Sequence, residues 1–137
     1  EGPVAAKTQG ERAGGDVKRI LITEDSPTMR SLLISTIEAL EEFEIVEAAS
    51  GFEALRLLPR GKVDLIITDI NMPEINGLEL ISYVKKSPHY RHIPLFIVST
   101  ERSERDMEKG LALGADEYLT KPFDPVRLQE LIKRYIG

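Results

Sequence analysis

Residues 63–80 read VDLIITDINMPEINGLEL, and this stretch decides the fold. Val63–Thr68 predicts a strand. Leu65, Ile66 and Ile67 run without polar alternation, so the strand is covered on both faces and lies inside a sheet. An acid, Asp69, stands directly after it. The loop that follows holds Pro73, Asn76 and Gly77, residues typical of turns, and Gly77 is read as a glycine needed for positive φ. Leu78–Lys86 then has helical spacing and stops at Ser87-Pro88. Strand, acid-bearing loop and amphipathic helix in that order make one βα unit.

The same unit recurs on both sides. Upstream, Arg19–Thr23 (RILIT) predicts a strand ending at Glu24-Asp25. Ser26-Pro27 supplies a helix cap and a first-turn proline. Met29, Leu32, Leu33, Thr36, Ile37 and Leu40 then fall on one helical face. Glu44–Ala49 predicts the second strand and Gly51–Leu58 a short helix stopped by Pro59. Downstream, Pro94–Val98 (PLFIV) predicts the fourth strand and Ser103–Leu113 a helix stopped by Gly114. Asp116–Leu119 predicts a short fifth strand. Asp124 caps a last helix, Pro125–Ile136, with Val126, Leu128, Leu131, Ile132 and Tyr135 as its buried face. Five βα units in series imply the α/β class, with a parallel sheet and helices on both faces.

The chain has 137 residues, 42% of them apolar, which suffices for one core and one domain. Residues 18–137 are expected to form it. Residues 1–17 (EGPVAAKTQGERAGGDV) carry few large apolar side chains and read as a tail or linker. The net charge is −5 with no Lys/Arg-rich run, which argues against direct nucleic-acid binding. The absence of cysteine excludes disulfides and thiolate metal sites and fits a reducing, cytoplasmic setting. No apolar run reaches the roughly 18 residues of a membrane span.

In a doubly wound sheet the ligand site lies at the C-terminal ends of the strands. Glu24, Asp25, Asp69, Asn71, Ser99, Thr100 and Lys121 all fall just past strand ends. Three crowded carboxylates repel, and an all-oxygen donor set favours a hard cation such as Mg²⁺. Asp25 and Asp69 offer direct carboxylates, Glu24 a direct or water-mediated one, and Asn71 its main-chain carbonyl. A carboxylate is also a nucleophile toward phosphorus. Lys121 and the Ser99 hydroxyl would neutralise the phosphoryl oxygens. Each residue alone has an ordinary explanation as a cap, turn or solvated charge; their gathering at one sheet edge does not. His89 and His92 read as surface residues, and the charges of Glu101–Lys109 as a solvated helix face.

Four segments, EDSPTMR (24–30), IITDINMPEINGLEL (66–80), IPLFIVST (93–100) and GADEYLTKPF (114–123), together resemble the receiver domain of two-component response regulators. The resemblance runs from about Lys18 to the C-terminus. It implies a flavodoxin-like receiver fold with five parallel strands in the order 2-1-3-4-5 and five helices. It implies a phosphoacceptor switch of a phosphorelay: Asp69 accepts the phosphoryl group and Glu24, Asp25, Asp69 and the Asn71 carbonyl hold Mg²⁺. It further implies that Ser99 and Lys121 contact the phosphoryl group, that the Lys121–Pro122 peptide is cis, and that Tyr118 turns inward as Ser99 moves. The implied partners are a histidine kinase or phosphotransfer protein and a protein output partner or second copy. The latter would dock on the fourth helix, fifth strand and fifth helix. Such a protein promotes its own phosphoryl transfer and autodephosphorylation without being an enzyme in the strict sense. Two positions depart from the common pattern. Glu24 stands where Asp is frequent, and Thr100 stands where Ala or Gly is common, which bears on access to the phosphoryl group. Lys121 is expected to matter more for signalling than for folding.

Other classes remain to be weighed. An aspartyl-phosphate phosphohydrolase of the haloacid-dehalogenase type needs a second Asp two residues after the nucleophile, where this chain has Asn71. A flavodoxin-like cofactor module needs a hydroxyl- and glycine-rich phosphate loop, where this chain has Glu24-Asp25. A docking-only receiver-like domain would not need the full set of acids, hydroxyl and lysine.

Overall fold

The computed structural model describes residues 17–137; the expectation for residues 1–16 lies outside them. Five strands, β1 (Lys18–Thr23), β2 (Phe43–Ala48), β3 (Leu65–Thr68), β4 (Leu95–Ser99) and β5 (Glu117–Thr120), form one sheet in the order β2-β1-β3-β4-β5. Every pairing is parallel. The connecting helices are α1 (Pro27–Glu38), α2 (Gly51–Leu57), α3 (Gly77–Lys86), α4 (Glu104–Ala112) and α5 (Pro125–Ile136). The expected fold class and strand order hold.

Strand alternation divides the core in two. Ile20, Ile22, Leu65, Ile67, Phe96 and Val98 point to the face covered by α1 and α5, where they meet Leu33, Ile37, Leu128 and Ile132. Leu21, Ile66, Leu95 and Ile97 point to the other face and meet Ala54 of α2 and Leu80, Ile81 and Val84 of α3. Register keeps the faces aligned: Ile22 lies beside Ile67, and Ile67 beside Phe96. Each fully buried Leu or Ile contributes roughly 1.5–3 kcal/mol of transfer free energy. The Tyr135 hydroxyl on α5 donates to Glu117 at 2.7 Å; that bond, with burial, pushes its pKa up to about 12 and ties α5 to the edge strand.

Helix ends follow the cap chemistry. Ser26, Ser50, Asn76, Ser103 and Asp124 each accept a first-turn N–H. Asn76 and Glu79 form a reciprocal capping box. Gly114 ends the α4 region at φ 119°.

Several details differ from the sequence reading. Pro59 ends α2, yet the chain continues through it as a 3₁₀ turn, Leu58–Arg60, because proline is tolerated in a first turn. Val126 is 59% exposed and Ile136 is buried in its place. At about 100° per residue, Val126 stands opposite the stripe of Leu128, Leu131 and Ile132. Leu32 is 43% exposed for a related reason: it sits at the edge of the face centred on Leu33 and Ile37. Gly77 does not have positive φ. Its need for glycine is spatial: a Cβ there would collide with the Asp69 carbonyl oxygen and lie 2.7 Å from the Ile70 Cα. The Gly77 N–H donates to the Ile70 carbonyl at 2.8 Å, so α3 begins pressed against the backbone beside Asp69.

Gly77→Ala should therefore destabilise the protein by about 1–3 kcal/mol in denaturant unfolding, since the clash is with backbone that cannot rotate away. An unchanged midpoint would show that the helix start yields without cost.

Candidate functional site

The parallel sheet ends its strands at one edge, and the polar residues leave the core there. Thr23 and Thr68 are adjacent across β1 and β3, and Ser99 and Thr120 across β4 and β5. Backbone bonds continue past the strands: Glu24 N–H to Ala48 O at 3.0 Å, Asp69 N–H to Thr23 O at 3.1 Å, Lys121 N–H to Ser99 O at 2.8 Å. The residues that carry the chemistry are thus set by the sheet's own ladder.

At the centre, the Lys121 ammonium donates to Glu24 Oε1 at 2.9 Å and to Asp69 Oδ2 at 3.2 Å. Asp69 Oδ1 accepts the Ile70 N–H at 2.7 Å, and Glu24 Oε2 accepts the Ser26 N–H at 3.1 Å. Glu24 is 1% exposed, whereas Asp25 is exposed. Burial pushes the Glu24 carboxyl above its usual range; Lys121 and the Ser26 N–H oppose that shift and the charge of Asp69 adds to it. Burial disfavours the charged form of Lys121, but the carboxylates of Glu24 and Asp69 prevail and hold its pKa above the usual lysine value.

Carboxylate oxygens of Glu24, Asp25 and Asp69 lie within 4.8 Å of one another, close enough to share one metal ion. All are oxygens, which fits a hard divalent cation. The Asn71 side chain is turned outward and donates to Glu101 Oε2 at 3.0 Å.

Ser99 is fully buried, and its hydroxyl accepts the Glu101 N–H at 3.1 Å. Tyr118 is half-buried; its hydroxyl donates to the Glu101 carbonyl at 2.9 Å. Burial raises the Tyr118 pKa, while a hydrogen bond with Ser99 works to lower it. Ser99 and Tyr118, 19 residues apart, are therefore neighbours through the loop that follows β4. Thr100 is exposed at the start of that loop. The Lys121–Pro122 peptide is cis. His89 and His92 are exposed and lie away from this edge, in the segment before β4.

Three residues of this rim were not legible as such. The Arg30 guanidinium donates to the Glu24 carbonyl at 2.7 Å and to Glu47 at 3.2 Å. Arg102 donates to the Lys121 carbonyl at 2.6 Å. Glu101, read as part of a solvated helix face, instead accepts from Asn71 on its carboxylate and from Tyr118 on its carbonyl, and donates its N–H to the Ser99 hydroxyl. Arg30 had one signal, its place in the second turn of a helix that starts at the acidic pair.

The burial of Glu24 makes Lys121 structural as well as chemical. Removing one partner of a buried pair leaves a charge unpaired, at a cost of about 3–5 kcal/mol. Lys121→Ala should lose stability of that order at neutral pH, with much of it restored in Glu24→Gln/Lys121→Ala. Equal stability of Lys121→Ala and wild type would mean that Glu24 is not charged when buried.

The sequence matches the response regulator receiver domain over residues 20–133. It is 37% identical over 120 residues to a chemotaxis protein CheY homolog of Campylobacter jejuni, covering 87% of this chain and 92% of that protein. Among solved structures it is similar to the chemotaxis protein CheY4 of Vibrio cholerae, with a TM-score of 0.80, 32% identity, and coverage of 88% of this chain and 99% of that one. It is also similar to the signal receiver domain of a histidine kinase from Syntrophus aciditrophicus, with a TM-score of 0.81, 36% identity, and coverage of 88% and 90%. A fold, a strand-end acidic cluster and a sequence match of this extent agree: the chain belongs to the response regulator receiver family and is a CheY-like phosphoacceptor of two-component signalling.

Proposed function

We propose that Asp69 is the phosphoacceptor and that residues 18–137 form the receiver domain. The observation that carries this is the Asp69 carboxylate itself: it sits at the end of the central strand, with one oxygen on the Ile70 N–H and the other on Lys121. A bond forms from an Asp69 oxygen to phosphorus as the bond from phosphorus to an imidazole nitrogen of a histidine kinase or phosphotransfer protein breaks. The nitrogen keeps the electron pair. Such transfer depends on positioning and charge neutralisation more than on further covalent chemistry.

Asp25 and Asp69 would hold Mg²⁺ directly, Glu24 directly or through water, and Asn71 through its main-chain carbonyl. The ion, when bound, would supply positive charge to the phosphoryl oxygens. Lys121 moves from its two carboxylates to a phosphoryl oxygen, and the Ser99 hydroxyl turns from the Glu101 N–H to another. Tyr118 follows Ser99, because both meet at the Glu101 backbone. The output surface is α4, β5 and α5, facing a protein partner or a second copy. One physical fact supports this: α4 has a single buried residue, Gly110, so little core packing resists its displacement. The protein acts in the cytoplasm as a signalling component that also promotes its own dephosphorylation. Among the described residues, no helix is long and apolar enough to cross a membrane.

Acetyl phosphate with Mg²⁺ should add about 80 Da, the mass of one phosphoryl group, by intact-mass spectrometry. The adduct should be absent with EDTA and in Asp69→Asn. Labelling of that variant to the wild-type level would remove Asp69 from its role.

Thr100 stands exposed beside Ser99 and should limit entry of the hydrolytic water. Thr100→Ala should shorten the phosphoryl half-life severalfold while leaving Mg²⁺ affinity nearly unchanged. Identical half-lives would exclude control of access by Thr100.

A further inference from the structure

The end of the sheet opposite Asp69 carries a second feature that phosphoryl transfer does not use. Before β3 and before β4 the chain forms a half-open pocket of about 100 Å³. Its floor is apolar: Leu58, Val63 and Ile93 are 2%, 7% and 3% exposed. Tyr90 forms one wall, and Lys62, His89 and His92 stand at the rim. The aromatic surface continues outside it, since the ring of Tyr83 lies 6.4 Å from that of Tyr90 and Tyr83 is 51% exposed.

The charge around this cavity runs against that of the chain. The net charge is −5, yet residues 58–63 and 85–94 contain Arg60, Lys62, Lys85, Lys86 and Arg91 and no Asp or Glu. The acids that approach from neighbouring elements are engaged. Asp64 accepts the Arg19 N–H at 2.8 Å and pairs with Lys62 at 3.8 Å. Asp116 accepts the Leu95 N–H at 2.8 Å and pairs with Lys85 at 3.5 Å. Glu44 pairs with Arg19 at 3.0 Å. The carbonyl end of α3 also draws positive charge here, while the Lys85 ammonium is taken up by the Arg91 and Ile93 carbonyls of the loop before β4. Lys62 is different: its side chain is 73% exposed and its ion pair is long.

We propose that this cavity docks an acidic segment of a partner protein, which inserts one apolar side chain onto Leu58, Val63 and Ile93 and sets flanking carboxylates against Lys62, His89 and His92. Size decides between occupants. Sites for drug-sized ligands run from about 300 to 1,000 Å³, whereas a 150 Å³ cavity takes a single benzene; 100 Å³ suits one side chain. A bare phosphate would satisfy the rim and leave the apolar floor unused. An exposed tyrosine beside a pocket with a charged rim is also the composition of a protein-binding anchor site. The site is remote from Asp69, so a partner held there leaves the phosphorylation edge free.

The test is an amide NMR titration of the full chain with the peptide Asp-Glu-Leu-Glu-Asp, carried to millimolar concentration at low and high salt. Saturable shifts should appear in 58–63 and 89–93 and not around Asp69. Affinity should fall at least tenfold in Lys62→Glu/His92→Glu, severalfold with Asp-Glu-Ala-Glu-Asp, and with added salt. Unchanged labelling of the double variant by acetyl phosphate would show that it is folded. Three results would each overturn the proposal: no shifts in those segments, equal shifts with inorganic phosphate alone, or indifference to both the leucine and the two substitutions.

Discussion

The Lys121 ammonium, held between Glu24 and Asp69 at 2.9 and 3.2 Å, is the contact on which the rest of this edge depends. It joins the ends of three strands that are distant in sequence: β1 through Glu24, β3 through Asp69 and β5 through Lys121. A carboxylate as buried as Glu24 is tolerable only with a countercharge and hydrogen bonds, and it has both. The same countercharge is what a phosphoryl group on Asp69 would compete for. On the proposed reading, structure and switching draw on one cation. The acidic cluster is stable enough to exist and unbalanced enough to accept further positive charge.

The sheet explains why this chemistry lies where it does. β3 and β4 are buried on both faces, so neither can present a polar side chain sideways. Thr68, Asp69 and Ser99 appear only where the strands stop. Gly77 adds a second constraint by bringing the start of α3 against the backbone at Asp69 and Ile70. Asp69 is thus fixed from its own strand, from Lys121 and from the helix that follows. Arg30 and Arg102 brace the carbonyls of Glu24 and Lys121 from outside. They act on the main chain of the residues whose side chains meet in the centre.

Much of this was legible in the sequence because the determinants are local. Apolar runs, caps such as Ser26-Pro27 and Asp124, and the position of acids after strands need only short windows. The class, the five units and the gathering of Glu24, Asp25, Asp69, Ser99 and Lys121 follow from them. What was not legible depends on contacts between distant segments. Glu101 looked like one more charge on a polar helix, and only the fold brings Asn71, Ser99 and Tyr118 to it. Gly77 looked like a turn glycine, and only the proximity of Asp69 shows that volume is the constraint. Val126 and Leu32 were misplaced for a simpler reason: an apolar residue off the buried stripe, opposite it or at its edge, is indistinguishable by type from one on it.

The coupling between the site and α4 has a physical limit. A phosphoryl group shifts the balance of Tyr118 orientations only by as much as it interacts differently with each. Tyr118 already donates to the Glu101 carbonyl, and Gly110 of α4 lies beside its ring, where a Cβ would be 3.4 Å from it and 2.6 Å from the Ile97 Cδ1. The space beside α4 is already filled there by Ile97 and Tyr118, so position 110 has no room for a side chain. Since Gly110 is also the only buried residue of α4, the helix is held mainly where it touches Tyr118 and Ile97. If Tyr118 turns as proposed, its rearrangement falls on that contact, and a differential interaction at Ser99 would bias the position of the helix.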